Sequence, residues 1–273
     1  MPFLHSTTQR LQNLFSSQSN FKSTSTEPTI SLKPTSATTK NGTMSAPIVL
    51  ILGSGPRVGA AVSKAFAAIG YKVAVAARKG TDAKTDEGYL SIKADFAEPK
   101  SITAVYDAVK AEFGAAPSIV VYNTGSLTPP PDKDSVLSIS ADRFTHDLNV
   151  NTVAPFVAAQ EAINGWATLS AGAKVFIYTG NALNKLIMPV PMMLDVGVGK
   201  AASAYWLGQA DGAYSANGYR FIYADERQPD GKMKGTALDG SAHGDFYTQL
   251  AKSTEGIPWN ATFVKGQGYV SFE

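Results

Sequence analysis

The sequence predicts an α/β fold, a single doubly wound parallel sheet with helices on both faces. Three observations carry this reading. Segments of strand and helix character alternate from residue 47 onward. Strand segments such as Ser118-Ile119-Val120-Val121-Tyr122 and Lys174-Val175-Phe176-Ile177-Tyr178 are near-continuous apolar runs, as expected for strands covered on both faces. The first of them, Ile48-Val49-Leu50-Ile51-Leu52, feeds a glycine-rich turn, Gly53-Ser54-Gly55-Pro56-Arg57-Val58-Gly59, that opens a helix.

The first strand is expected near 48–53 and the following helix near 57–69, where Val58, Val62, Ala65, Phe66 and Ile69 share a face and Gly70 closes it. In the turn between them, Gly53 lets the chain leave a buried strand sharply. Gly55 lets backbone approach a ligand, and Gly59 lets the helix pack close to the sheet. Together with Ser54, Arg57 and Val58 they form a cradle at a helix N-terminus. Its free N–H groups and dipole attract an anion such as the pyrophosphate of a dinucleotide. Further strands are expected near 72–77, 89–94, 118–122, 173–179, 219–224 and 261–264, and helices near 100–113, 141–165, 200–214 and 242–253.

A chain of 273 residues with 44% apolar and 17% charged residues has the composition of a globular protein. It has no cysteine, which excludes disulfides, thiolate metal sites and cysteine nucleophiles. His5, His146 and His243 lack metal-ligand spacing, so no metal is expected. No apolar run approaches the roughly 20 residues of a membrane span. The net charge of +2 comes from the N-terminal segment. Residues 1–44 carry Arg10, Lys22, Lys33 and Lys40 against Glu27, leaving 20 basic and 21 acidic residues in the remainder. The remainder has no basic block, so nucleic acid is not an expected partner.

Residues 1–46 are rich in Ser and Thr and read as a disordered tail, with residues 47–273 as one Rossmann-type dinucleotide-binding domain that includes the substrate pocket. Leu4, Leu11, Leu14 and Phe15 fall on one helical face near Arg10, the pattern of an organelle transit peptide. The segment holds only one arginine, so the expected compartment is cytoplasmic, with mitochondrial as the alternative if residues 1–44 are a transit peptide. Met44, directly before the first strand, offers an alternative start to Met1.

In open parallel sheets ligands bind beyond the carboxyl ends of the strands. The second strand ends Ala77-Arg78-Lys79, with no acidic residue for a ribose 2′-hydroxyl and two cations, besides Arg57, for a 2′-phosphate. This points to NADP(H) as cofactor. Asp95-Phe96 follows the third strand and suits an adenine contact, and Asn123-Thr124-Gly125 follows the fourth as a tight turn against a ligand.

Over about residues 47–265 these features resemble the short-chain dehydrogenase/reductase family. The resemblance rests on the glycine turn, with Arg57 in place of the family's middle glycine, on Asp95-Phe96 and on Asn123-Thr124-Gly125. It extends to Leu148-Asn149-Val150-Asn151-Thr152-Val153-Ala154-Pro155-Phe156 and Gly199-Lys200-Ala201-Ala202. By resemblance, Asn151 matches the family's structural and catalytic asparagine and Lys200 the lysine that binds the nicotinamide ribose. The family's tyrosine, four residues before that lysine, is here Val196, and its serine after the fifth strand is missing from Tyr178-Thr179-Gly180-Asn181. An i, i+4 pair shares a helix face, so in the family the ammonium acidifies the phenol that handles the proton.

Thr179, Asp195 and His146 are the candidates to replace the missing groups: a hydroxyl beside the serine position, a carboxyl that desolvation could keep protonated, and an imidazole one turn from Asn151. Together these features look like an atypical branch of the family. The resemblance implies an NADPH-dependent oxidoreductase acting on a small carbonyl or hydroxyl compound through a non-standard proton donor. The alternative is an NADP(H)-binding protein without redox turnover, either nucleotide-sensing or a redox-neutral catalyst. A homo-oligomer is a further implication. The loop from Ala224 to Lys232 is expected to be a charged lid or the lining of a polar substrate pocket, and Trp259 to pack the last strand.

Overall fold

The structure, a computed structural model, describes residues 46–170 and 172–272; the expected tail lies outside them. Nine strands form one sheet in the order β3-β4-β2-β1-β5-β6-β7-β8-β9. They are β1 (Ile48–Leu52), β2 (Lys72–Ala77), β3 (Ala83–Lys84), β4 (Leu90–Lys93), β5 (Ile119–Tyr122), β6 (Lys174–Thr179), β7 (Tyr219–Glu226), β8 (Asn260–Val264) and β9 (Gly268–Tyr269). All pairings are parallel except those of the two-residue edge strands β3 and β9. The helices are α1 (Val58–Ala68), α2 (Ser101–Phe113), α3 (Ala141–Leu148), α4 (Ala154–Trp166), α5 (Leu194–Tyr214) and α6 (Gly240–Lys252). Strand order reverses between β1 and β5, which opens the crevice where this architecture binds ligands.

The central strands β1, β2, β5, β6 and β7 each contribute to two cores, which is why their runs are largely apolar without alternation. Leu50, Leu52, Val120, Tyr122, Phe176 and Tyr178 face one core, closed by α2, α4 and α5; Val49, Ile51, Val121, Val175 and Ile177 face the other, closed by α1 and α6. Trp259 packs on the first core, touching α5 where Gly208 leaves room for its ring. No helix among the described residues is long and apolar enough to cross a membrane.

The structure differs from the sequence expectation at four places. The helix expected over 141–165 is interrupted by a π turn at Asn149–Val153. Pro155 has no N–H for the carbonyl of Asn151, four residues back, and its ring crowds that carbonyl, so the backbone widens there. The freed carbonyl accepts from the Tyr178 hydroxyl at 2.9 Å and the Ser203 hydroxyl at 2.7 Å. Helix α5 begins at Leu194, six residues earlier than expected, after a 3₁₀ turn at Pro191–Met193. Strand β7 continues through Asp225 and Glu226, both buried, so these two residues belong to the sheet and not to a solvated loop. The edge strands β3 and β9 have no apolar signal, because they are two residues long.

Candidate active site

A cleft of about 700 Å³ opens beyond the carboxyl ends of the central strands. Gly55, Arg57 and Val58 line one end, and Asn123, Thr124 and Gly125 line its floor. Thr179, Asn181, Val196, Lys200 and Glu226 line the other end, and the segment Met233–Thr236 covers it. A separate cavity of about 910 Å³ lies between the loop after β6, the loop after β7 and the C-terminal strands, and shares only Met233 with the cleft.

The glycine turn is shaped by backbone contacts. Gly53 has φ +108°, and a Cβ there would strike Thr124 and Asn123 of the β5 turn. A Cβ at Gly59 would strike Gly53 and Ser54. At Gly55 a Cβ would meet nothing within 4 Å: the space beside it is an open cradle lining the cleft. The N-terminus of α1 carries no side-chain cap. An open cradle at an uncapped helix N-terminus fits the pyrophosphate of a dinucleotide. Asn123 Nδ2 donates to the Gly53 carbonyl at 2.9 Å and Thr124 Oγ1 to the Leu52 carbonyl at 3.1 Å, tying the β1 and β5 turns together.

The other expected cofactor contacts fall at three places. Arg78 and Lys79 are exposed at the end of β2. Arg57 points elsewhere: its guanidinium donates to the Thr236 carbonyl at 2.8 Å and so joins the glycine turn to the covering segment. Asp95 is exposed and accepts from the Ala97 N–H at 3.0 Å, while Phe96 is buried.

At the far end the parallel register stacks three tyrosines, Tyr122, Tyr178 and Tyr223, with centroids 5.7 and 5.5 Å apart. Their hydroxyls donate to the carbonyls of Val150, Asn151 and Asn181, all within the protein, and burial raises all three phenols above their ordinary range. Lys200 lies above this column. Its Nζ donates to the Thr179 carbonyl at 2.8 Å and sits 4.4 Å from the Tyr178 ring centroid. Burial lowers the Lys200 ammonium to about 7, against the opposing pull of Asp225. Burial likewise raises Asp225 to about 6 although Arg227 pairs with it at 2.6 Å. The Thr179 hydroxyl is bonded to the buried Tyr247 hydroxyl at 2.9 Å.

Asn151 is a brace. Its Oδ1 accepts from Ser126 N–H at 2.9 Å and its Nδ2 donates to the Ser126 carbonyl at 2.8 Å, which fixes the loop after Gly125. Asp195 is buried and does not line the cleft, although Val196 beside it does. Its carboxyl accepts from the N–H groups of Thr128 and Val196 and lies beside the carboxyl of Asp147, which meets Ser126 Oγ and, at 3.0 Å, His146 Nδ1. Two of the three replacement candidates thus adjoin Asp147.

Sequence reasoning passed over Asp147, Lys234 and Tyr247, and read Glu226 as part of a loop, either a charged lid or the lining of a polar pocket. Glu226 is buried, lines the cleft, pairs with Lys234 at 3.2 Å and accepts from the Asp239 N–H at 2.8 Å. The available signal for Glu226 was the absence of any Gly or Pro between Tyr219 and Gln228 that would end the strand at Ala224.

Comparison with known proteins follows the same lines. The family model described as short chain dehydrogenase matches residues 47–191. The short chain dehydrogenase/reductase dmxR12 of Cryptosporiopsis sp. is 40% identical over 240 residues, covering 84% of this chain and 96% of its own. Versicolorin reductase stcU of Emericella nidulans is 30% identical over 143 residues, 49% of this chain and 51% of its own. A short-chain type dehydrogenase/reductase from Mycobacterium marinum superposes with TM-score 0.68 at 20% identity, over 81% of this chain and 94% of that one, and shares the fold.

Proposed function

The chain belongs to the short-chain dehydrogenase/reductase family, and from that premise we propose that it is an NADPH-dependent reductase of small carbonyl compounds whose proton donor is not the family's tyrosine. The observation that carries the reading is the single cleft running from the open cradle at Gly55 to Lys200. When bound, the reduced dinucleotide supplies a hydride from its nicotinamide.

The chain's own residues do the rest. Gly55 and the α1 N-terminus receive the pyrophosphate, and Arg78 and Lys79 take a 2′-phosphate. Asn123, Thr124 and Gly125 form the floor, held in place from below by Asn151 through Ser126. Lys200 anchors the ribose and brings positive charge to the reacting end. The covering segment, tied down by Arg57–Thr236 and Glu226–Lys234, excludes water from that end. Val196 gives an apolar wall where a phenol would stand, which leaves proton delivery to another group. A homo-oligomer through α4 and α5 fits the exposed Phe156 and Tyr205.

The second reading, a dinucleotide-binding protein without redox turnover, is favoured by one observation. No tyrosine hydroxyl lines the cleft among the described residues. Nicotinamide-fluorescence titration with NADPH and NADH, followed by a carbonyl panel scored for NADPH loss, tests both. The reductase reading expects tighter NADPH binding and consumption of NADPH with at least one carbonyl class. Tight binding with no consumption across the panel supports the second reading.

A further inference from the structure

We propose that the Lys200 ammonium itself delivers the proton to the substrate's carbonyl oxygen, acting as the general acid and not as an assistant to a phenol. The inference rests on the reductase reading above. It begins from an inventory of the polar groups at the reacting end of the cleft.

Thr179, Asn181, Lys200, Glu226 and Lys234 are the candidates that line that end. The Thr179 hydroxyl is bonded to Tyr247, and an alcohol is too weak an acid to give up a proton near neutral pH without a partner. Asn181 is an amide whose Oδ1 accepts from the Leu183 N–H. Glu226 and Lys234 are paired with one another. Asp195 lies behind the cleft wall. Lys200 remains. Its Nζ uses one N–H on the Thr179 carbonyl, and no other hydrogen bond from that nitrogen is present among the described residues. An ammonium has three donors, so two are available to a ligand.

The surroundings make that ammonium an acid matched to neutral pH. Tyr178 and Thr179 approach it from β6 and Asp225 from β7, while the neutral Asn151 packs against the adjacent Gly199. Glu226 and Lys234 line the cleft opposite, with Arg227 beyond Asp225. Tyr178 is neutral, Asp225 is the main negative charge, and burial outweighs it. Asp225 Oδ1 is buried with no hydrogen-bond partner, while its Oδ2 holds Arg227. Asp225 is thus a positioning residue that sets how readily Lys200 gives up its proton.

The step balances. One N–H bond of Lys200 breaks and an O–H bond forms on the substrate as its carbonyl carbon gains the hydride. The carbonyl is reduced to an alcohol and the dinucleotide is oxidised. Neutral Lys200 regains a proton from water after the alcohol leaves. For reduction, the rate then falls as pH rises through the Lys200 transition.

The test has two arms on the full chain. In the first, without nucleotide, competitive acetic anhydride labelling across pH reads each lysine's protonation by mass spectrometry. Lys200 should show half-maximal reactivity near pH 7, and Asp225→Asn should move that midpoint lower. In the second, Lys200→Arg keeps the charge but cannot release a proton, and Lys200→Met removes both. At saturating NADPH, Lys200→Arg should lose at least 100-fold in kcat, together with the fall in rate above pH 7. A Lys200 midpoint near the ordinary lysine value overturns the proposal, as does a Lys200→Arg enzyme with wild-type kcat and pH profile. A wild type that binds NADPH but reduces no carbonyl overturns the reductase reading, and this proposal with it.

Discussion

Asp147 and Asp195 are neighbouring buried carboxyls, with 0% and 1% of each residue exposed, and each bears on the other's ionisation. Two buried carboxyls side by side resist carrying two negative charges. Burial and the neighbouring Asp147 push Asp195 up to about 6. Burial opposes ionisation of Asp147, but the neighbouring Asp195 and hydrogen bonds from Ser126, Thr128 and His146 outweigh it and hold that carboxyl well below its usual range. The pair fastens α3 to the first turn of α5, immediately behind Leu127 and Val196 of the cleft wall.

That pair has a stability consequence with a definite sign. Between about pH 4 and pH 6 folded Asp195 keeps a proton that the unfolded chain has lost, so its contribution to stability falls as pH rises through that window. Asp195→Asn supplies an N–H to Asp147 at any pH. It should raise stability at pH 8 by about 1–2 kcal/mol and Tm by a few degrees, with no gain at pH 4. Thermal melts at the two pH values check this; an equal or negative shift at pH 8 refutes it.

The proposed preference for NADPH rests on Arg78 and Lys79, since the Arg57 guanidinium is bonded to the Thr236 carbonyl. A charge-assisted phosphate contact is typically worth about 1.5–3 kcal/mol. Arg78→Ala should therefore weaken NADPH binding by about tenfold or more and leave NADH unchanged. Arg57→Ala should weaken both alike. Titrations of the two variants with both nucleotides separate these roles.

The glycine turn separates folding from binding. Gly55→Val places a side chain in the open cradle, so nucleotide affinity should drop by more than tenfold while Tm stays within about 2 °C. Gly53→Ala forces a Cβ at φ +108° against Thr124 and Asn123, so it should destabilise by about 2 kcal/mol or more. A Gly55→Val protein that binds NADPH normally would move the pyrophosphate elsewhere.

Residues 1–44 are largely polar and precede the first core strand. A protein beginning at Met44 should match the full chain in Tm and NADPH affinity. Loss of solubility or binding would make residues 1–43 part of the fold.

Much of this was readable along the chain, for local reasons. Strands β1, β2, β5, β6 and β7 declare themselves because burial on both faces requires apolar runs, and the glycine turn because its backbone geometry tolerates few other residues. Strand β7 was cut short at Ala224 because Asp225 and Glu226 look solvated in isolation. Their compensating charges, Lys200, Arg227 and Lys234, come largely from other segments. The Asp147–Asp195 pair spans 48 positions and has no linear signature. The π turn had one, Pro155, whose effect on the Asn151 carbonyl follows from its missing N–H. The early start of α5 was masked by Gly197 and Gly199, poor helix formers that the packing against Asn151 overrides.

Whether this cleft moves hydride is measured most directly by isotope transfer. The full-length protein is incubated with NADPH deuterated at C4 of the nicotinamide, each face in turn, and the carbonyl panel, and the alcohols are analysed by mass spectrometry. The account predicts deuterium on the carbinol carbon from one face only, with Lys200→Arg slowing its appearance at least 100-fold. Saturating NADPH binding with no deuterium in any product would contradict it and leave a dinucleotide-binding protein without redox turnover.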